Sequence, residues 1–149
     1  MATSKTPKSA MPDWPDSEVR LALRVMVVDD EPDTVATLLE LLREEGHSAH
    51  GFASGSAALE HFRRIDPDVI ICDIAMPPPN GWDLAKEIRR MKQHGPRPFM
   101  IAISGKYMSG ADRVLAQMSG FNYFLIKPCD PQVLLALIRG NVKPHQSDQ

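Results

Sequence analysis

Several classes of function are closed by what this chain has little of. It holds two cysteines, Cys72 and Cys129, in 149 residues. They cannot build a disulfide framework, and no C-x-x-C or Cys/His spacing suggests a structural metal. A reducing compartment, the cytoplasm, is the expectation. A basic excess is missing: 17 basic against 19 acidic side chains leave a formal charge of −2. Neither nucleic acid nor a membrane surface is therefore an expected direct partner. No apolar run reaches the roughly 18 residues of a membrane span. The opening MATSKTPKSAMPDWPDSE has no signal-like apolar stretch. No G-x-G-x-x-G follows the first apolar segment, which excludes a dinucleotide fingerprint. The five histidines (His47, His50, His61, His94 and His145) are scattered, and none ends an apolar run.

Proline, by contrast, is plentiful at 13 residues, with three in the first 15 positions and three consecutive at Pro77, Pro78 and Pro79. Proline marks where helices and central strands cannot be. Residues 1–20 carry Pro, Ser, Lys and Asp without a period and read as a flexible tail, and 143–149 as a shorter one. Both tails are charge-balanced. The net charge belongs to the domain expected over 21–142.

Within that domain, apolar and amphipathic segments alternate. Strands are expected at 22–28, 48–52 (weak), 68–72, 98–103 and 121–126. Helices are expected at 32–45, 54–64, 81–92, 110–119 (weak) and 130–140. Their start signals include Pro32 and Pro131 in first turns, Ser54 or Ser56 as a cap, and Asp130 as another. Five strand–helix units imply an α/β fold, with a parallel sheet covered by helices on both faces.

Polar residues fall at the ends of the apolar runs: Asp29 and Asp30, then Asp73, Ser104 and Lys127. In open α/β sheets, ligands bind beyond the carboxyl ends of the strands, where the strand order reverses. If the order is 2-1-3-4-5, Asp29, Asp30 and Asp73 meet in that crevice. Three carboxylates there repel one another unless a cation is present. An oxygen-only set suits a hard ion such as Mg²⁺, with Mn²⁺ as a second candidate. Lys127 and the Ser104 hydroxyl would face an anionic group on Asp73. Acids, metal, hydroxyl and lysine together describe a phosphoryl-transfer site with Asp73 as the nucleophile. Taken singly, each has a plainer reading: Asp-Asp-Glu-Pro as a helix cap, Asp73 and Ser104 as turn residues.

At these residues the chain resembles the receiver domain of two-component response regulators. The motifs are VMVVDDEPD (25–33), DVIICDIAMPPPNGWDLAKEIR (68–89), IAISG (101–105) and FLIKP (124–128), and the resemblance spans about 22–140. It implies a flavodoxin-like, doubly wound (βα)5 fold with strand order 2-1-3-4-5 and Asp73 as phosphoacceptor. Asp29, Asp30, Asp73 and the backbone carbonyl of Ala75 would bind the metal. Ser104 and Phe124 would form the switch, with Lys127 pairing with the phosphoryl group before a cis Lys127-Pro128 bond. The implied donor is a histidine kinase or histidine phosphotransfer protein. The implied downstream partner is a protein on the 107–140 face, and a homodimer is left open. The resemblance implies no enzyme in the turnover sense; the expectation is a stand-alone receiver that catalyses only its own phosphorylation and dephosphorylation.

Some positions depart from the family's pattern. Phe124 stands where Tyr is common, with Tyr123 displaced by one. Cys129 follows Pro128 where Phe is frequent, and is expected as a buried, inert thiol rather than a redox sensor. Cys72 is expected in the core. Ala75 and Lys106 occupy positions that tune phosphoryl lifetime, and favour a long-lived state. Trp82 is expected either to report on the site or to cover the sheet edge. Two rival functions remain: a phosphorylation-independent interaction module, and a phosphohydrolase. The second lacks its general acid, because Ala75 stands two residues after Asp73.

Overall fold

The computed structural model describes residues 22–105 and 109–144. The expected tail at 1–20, most of the one at 143–149, and Lys106 lie outside the described residues. Five strands are present: β1 Arg24–Val28, β2 Ser48–Phe52, β3 Val69–Asp73, β4 Phe99–Ser104 and β5 Tyr123–Ile126. They alternate with α1 Pro32–Glu44, α2 Gly55–Ile65, α3 Gly81–Met91, α4 Gly110–Ser119 and α5 Pro131–Asn141. All pairings are parallel, in the order β2-β1-β3-β4-β5. The flavodoxin-like expectation therefore holds.

The strands divide the core by their two-residue period. Met26, Val28, Ile70, Cys72, Met100 and Ala102 face one layer, with Phe62 of α2, Leu84 and Ile88 of α3, and Ala116 of α4. Val25, Val27, Val69, Ile71, Ile101 and Ile103 face the other, with Leu38 and Leu42 of α1 and Leu134 and Ile138 of α5. Each large side chain so buried contributes about 1.5–3 kcal/mol. These continuous apolar strands can sit only at the centre of a sheet covered on both faces.

Local chemistry sets the helix ends. Ser54 Oγ accepts from the Ala57 N–H, and Asn80 and Ser109 each form a reciprocal capping box with the acid three residues on, Asp83 and Asp112. Asp130 caps α5 with Pro131 in its first turn. The weakest expected helix, α4, thus has a complete N-terminal cap.

Most element ends lie within one residue of the sequence reading, and two strand starts differ by two residues. The first strand begins at Arg24 and the last at Tyr123. Phe121 turns into the core ahead of β5, and Asn122 Oδ1 accepts from the Met100 N–H at 2.8 Å. Their apolar and polar roles belong to a turn, although their composition reads as strand. The Lys127-Pro128 bond is cis as expected, and Pro78-Pro79 is cis as well. Cys72 is in the core, whereas Cys129 is only half-buried. Among the described residues, no helix is long and apolar enough to cross a membrane.

Candidate functional site

Because every strand is parallel, all five carboxyl ends lie along one edge. Asp29 follows β1, Asp73 ends β3, Ser104 ends β4 and Lys127 follows β5. β1 and β3 are hydrogen-bonded neighbours whose following helices α1 and α3 cover opposite faces. The crevice between them receives the acids. One carboxylate oxygen from each of Asp29, Asp30 and Asp73 lies within 4.8 Å of the others. Asp29 is 3% exposed and Asp73 7%, while Asp30 faces solvent.

The two buried acids, Asp29 and Asp73, are each held from the backbone. The Glu31 N–H donates to Asp29 Oδ1 at 2.9 Å, and the Ala75 N–H to Asp73 Oδ1 at 3.0 Å. The second oxygens share a cation: Lys127 Nζ lies 2.8 Å from Asp29 Oδ2 and 3.4 Å from Asp73 Oδ2. Sequence reasoning paired Lys127 with Asp73; the ammonium bridges both, and Asp29 is the nearer. Burial pushes the Asp73 carboxyl above its ordinary value. The Ala75 N–H opposes that, the Asp29 charge adds to it, and Lys127 again opposes it. Burial alone would lower Lys127, but its bond to Asp29 and the charge of Asp73 hold it above its usual value.

The loop beyond Asp73 is fixed by close backbone approaches. A Cβ on Gly81 would lie 2.7 Å from Ile74 Cα and 2.9 Å from the Asp73 carbonyl oxygen. A Cβ on Gly55 would lie 2.6 Å from the Pro79 carbonyl oxygen. The proline-rich segment therefore packs against the start of α2, and α3 begins directly beneath the acid. The Asn80 capping box fastens that start.

Ser104 is buried at the end of β4, and its carbonyl accepts from the Lys127 N–H at 2.7 Å. Phe124 is half-buried against the core, with the Arg113 guanidinium 4.9 Å above its ring. Trp82 is half-buried against the same core layer, so it covers the sheet. Ala75 is exposed beside Asp73.

Glu31 is the residue that sequence reasoning left as helix cap. Its side chain makes no cap bond to α1. It accepts from Thr34 Oγ1 at 2.9 Å and lies 3.6 Å from Lys127 Nζ. The signal was a third acid directly after Asp29 and Asp30. A groove of about 470 Å³ opens beside it, walled by Thr34, Thr37, Leu38, Pro128 and Cys129 and reaching Lys127.

Three hard oxygen donors beside a lysine can hold a small divalent cation and an anionic oxygen together. The sequence profile of the response regulator receiver domain matches residues 25–139. The chain belongs to this family. The receiver domain is a signalling module of two-component systems, and its acidic cluster is consistent with Mg²⁺ binding and phosphorylation. It is 35% identical over 115 residues to a 14.6 kDa protein of Leptolyngbya boryana, covering 77% of this chain and 86% of that one. It is 30% identical over 125 residues to the DNA-binding response regulator MtrA of Mycolicibacterium smegmatis, covering 84% of this chain and 53% of MtrA. The receiver domain thus spans about half of that regulator. In fold it is similar to the receiver domain of Saccharomyces cerevisiae Ssk1, solved with the histidine phosphotransfer protein Ypd1. The TM-score is 0.73 at 24% identity, covering 79% of this chain and 87% of that one.

Proposed function

We propose that Asp73 accepts a phosphoryl group from a phosphohistidine of a histidine kinase or phosphotransfer protein. The convergence of Asp29, Asp30 and Asp73 on one crevice shared with Lys127 carries this reading. A carboxylate oxygen of Asp73 attacks phosphorus, the P–N bond breaks, and the imidazole leaves with the electron pair. Lys127 moves onto a phosphoryl oxygen, and the Ser104 hydroxyl donates to another. The Ala75 N–H holds Asp73 Oδ1, which leaves the other oxygen as nucleophile. Asp29, Asp30, Asp73 and the Ala75 carbonyl would hold Mg²⁺ (or Mn²⁺), which supplies charge neutralisation for the incoming phosphoryl group.

The output reading follows from the exposed apolar residues. Val114, Leu115 and Met118 on α4, Tyr123 and Ile126 on β5, and Val133 on α5 are all at least 40% exposed. Ser104 and Phe124 sit under that face. Drawing both toward the phosphoryl group would move α4 and change what the face binds, and a downstream protein is its proposed partner. Ala75 has no side chain to orient an attacking water, so the aspartyl phosphate should outlast seconds.

The test is incubation with a phosphorylated donor and Mg²⁺, read by intact mass and by partner binding. Phosphorylated wild type and inert Asp73→Asn are expected. Partner binding that is identical in both proteins, with and without donor, would overturn the reading in favour of a phosphorylation-independent module.

A further inference from the structure

A second polar concavity lies at the opposite end of the sheet. It is formed where β4 and β5 begin and where α3, α4 and α5 end, and encloses about 590 Å³. Three cations line it: Arg89, Arg97 and Lys143. Among the described residues, no carboxylate lies within 4 Å of any of them. The one acid in its wall, Asp68, is 1% exposed and already bound to Arg24, through the backbone N–H at 2.8 Å and the guanidinium at 3.6 Å.

Arg89 is fixed in place. Its Nε and Nη2 donate to the Gly120 carbonyl, Nη2 also to Asn122 Oδ1 at 2.9 Å, and Nη1 to the Pro98 carbonyl at 3.0 Å. These bonds satisfy most of its donors and leave its charge uncompensated. Burial pushes the guanidinium below its ordinary value, and the Arg97 charge pushes in the same direction. Like charges without a counter-ion are unfavourable, and no acid among the described residues pairs with these three cations. Arg97 and Lys143 are exposed at the rim, with no ion-pair partner among the described residues, beside the amides of Gln117 and Asn141. Pro96 and Phe99 add an apolar wall.

We propose that this pocket binds a small phosphate-bearing anion, up to the size of a mononucleotide. Arg89 provides a fixed positive floor, while Arg97 and Lys143 close on the phosphate oxygens. The guanidinium fork of Arg97 matches two such oxygens. The site is separate from the Asp73 crevice and does not depend on its chemistry.

The experiment is an amide-resolved NMR titration of the full chain with adenosine 5′-monophosphate and with inorganic phosphate. A chelator is present, so that the acid crevice holds no metal. Saturable shifts are expected in segments 96–99, 117–122 and 141–143. The double variant Arg97→Gln, Lys143→Gln should bind about tenfold more weakly, with a shallower salt dependence. Asp73→Asn should bind as wild type. Equal affinity for the two probes assigns binding to the phosphate alone, and tighter nucleotide binding adds the apolar wall; either supports the site. Non-saturating shifts, shifts confined to the Asp73 end, or an unchanged double variant overturn it. Arg89 is left intact because it holds the α4–β5 turn.

Discussion

Lys127 Nζ donates a 2.8 Å hydrogen bond to Asp29 Oδ2 across 98 residues of sequence. One ammonium thereby ties the end of β5 to the end of β1, while also lying within reach of Asp73. Before any phosphoryl group arrives, the same lysine compensates two buried carboxylates.

Replacing Lys127 with Met should therefore destabilise the metal-free protein. Lys127 is about a fifth exposed, which moderates the loss to about 1–3 kcal/mol. Urea denaturation should show a lower midpoint, and added Mg²⁺ should recover part of the loss. An unchanged midpoint would mean that solvent already screens the acids.

Asp73→Asn should have the opposite sign. The folded-state pKa of Asp73 lies above its unfolded value, with burial the largest cause. Folding thus favours the protonated form, and that stability is present below the unfolded pKa and lost as pH rises through the folded one. At pH 7 the wild type keeps an unfavourable charge that asparagine lacks. The metal-free variant should melt higher than wild type at pH 7, and the difference should shrink as pH falls toward about 4. Thermal melts across that range, with a chelator present, test the sign.

Gly81→Ala should damage both fold and site. The added methyl meets the backbone of Ile74 and the carbonyl of Asp73, neither of which is the end of a flexible side chain. A loss of about 2 kcal/mol or more is expected. Phosphorylation should fall further than stability does, because the acceptor loop must shift. Melts and phosphorylation rates on the same preparation separate the two effects.

Arg89→Ala removes the links from α3 to the Gly120 and Pro98 carbonyls and to Asn122. Hydrogen bonds from a charged donor are worth about 1.5–3 kcal/mol, so a loss of about 2–3 kcal/mol is expected. Hydrogen exchange should rise first in the turn from Gly120 to Asn122.

The two thiols should differ under a thiol-reactive probe. Cys72 is fully buried, and burial pushes its thiol far above the ordinary range, with the Asp73 charge adding to it. It should react only on unfolding. Cys129 is half-buried, and burial raises its thiol too. One slow equivalent is expected in the native protein and two in denaturant.

Much of this was legible because the strands are buried on both faces. Continuous apolar runs such as Val25–Val28 and Val69–Cys72 leave a polar residue only where the sheet ends, so Asp29, Asp73 and Ser104 stood out by position. Glu31 did not, because an acid ahead of Pro32 serves equally well as a helix cap. Phe121 and Asn122 also misled: an aromatic and an amide beside a strand read as its extension, while the core and the Met100 N–H claim them for a turn.

By itself, the sequence determined the alternation of strands and helices, the helix caps and the chemical types at the strand ends, since these depend on periodicity and local bonds. Tertiary structure alone decided that Lys127 reaches Asp29 more closely than Asp73, that Glu31 joins them, and that Arg89, Arg97 and Lys143 line one pocket. Such pairings join residues far apart in the chain. Only the packed sheet fixes their distances, and charge energies depend on distance and burial, which sequence spacing does not specify.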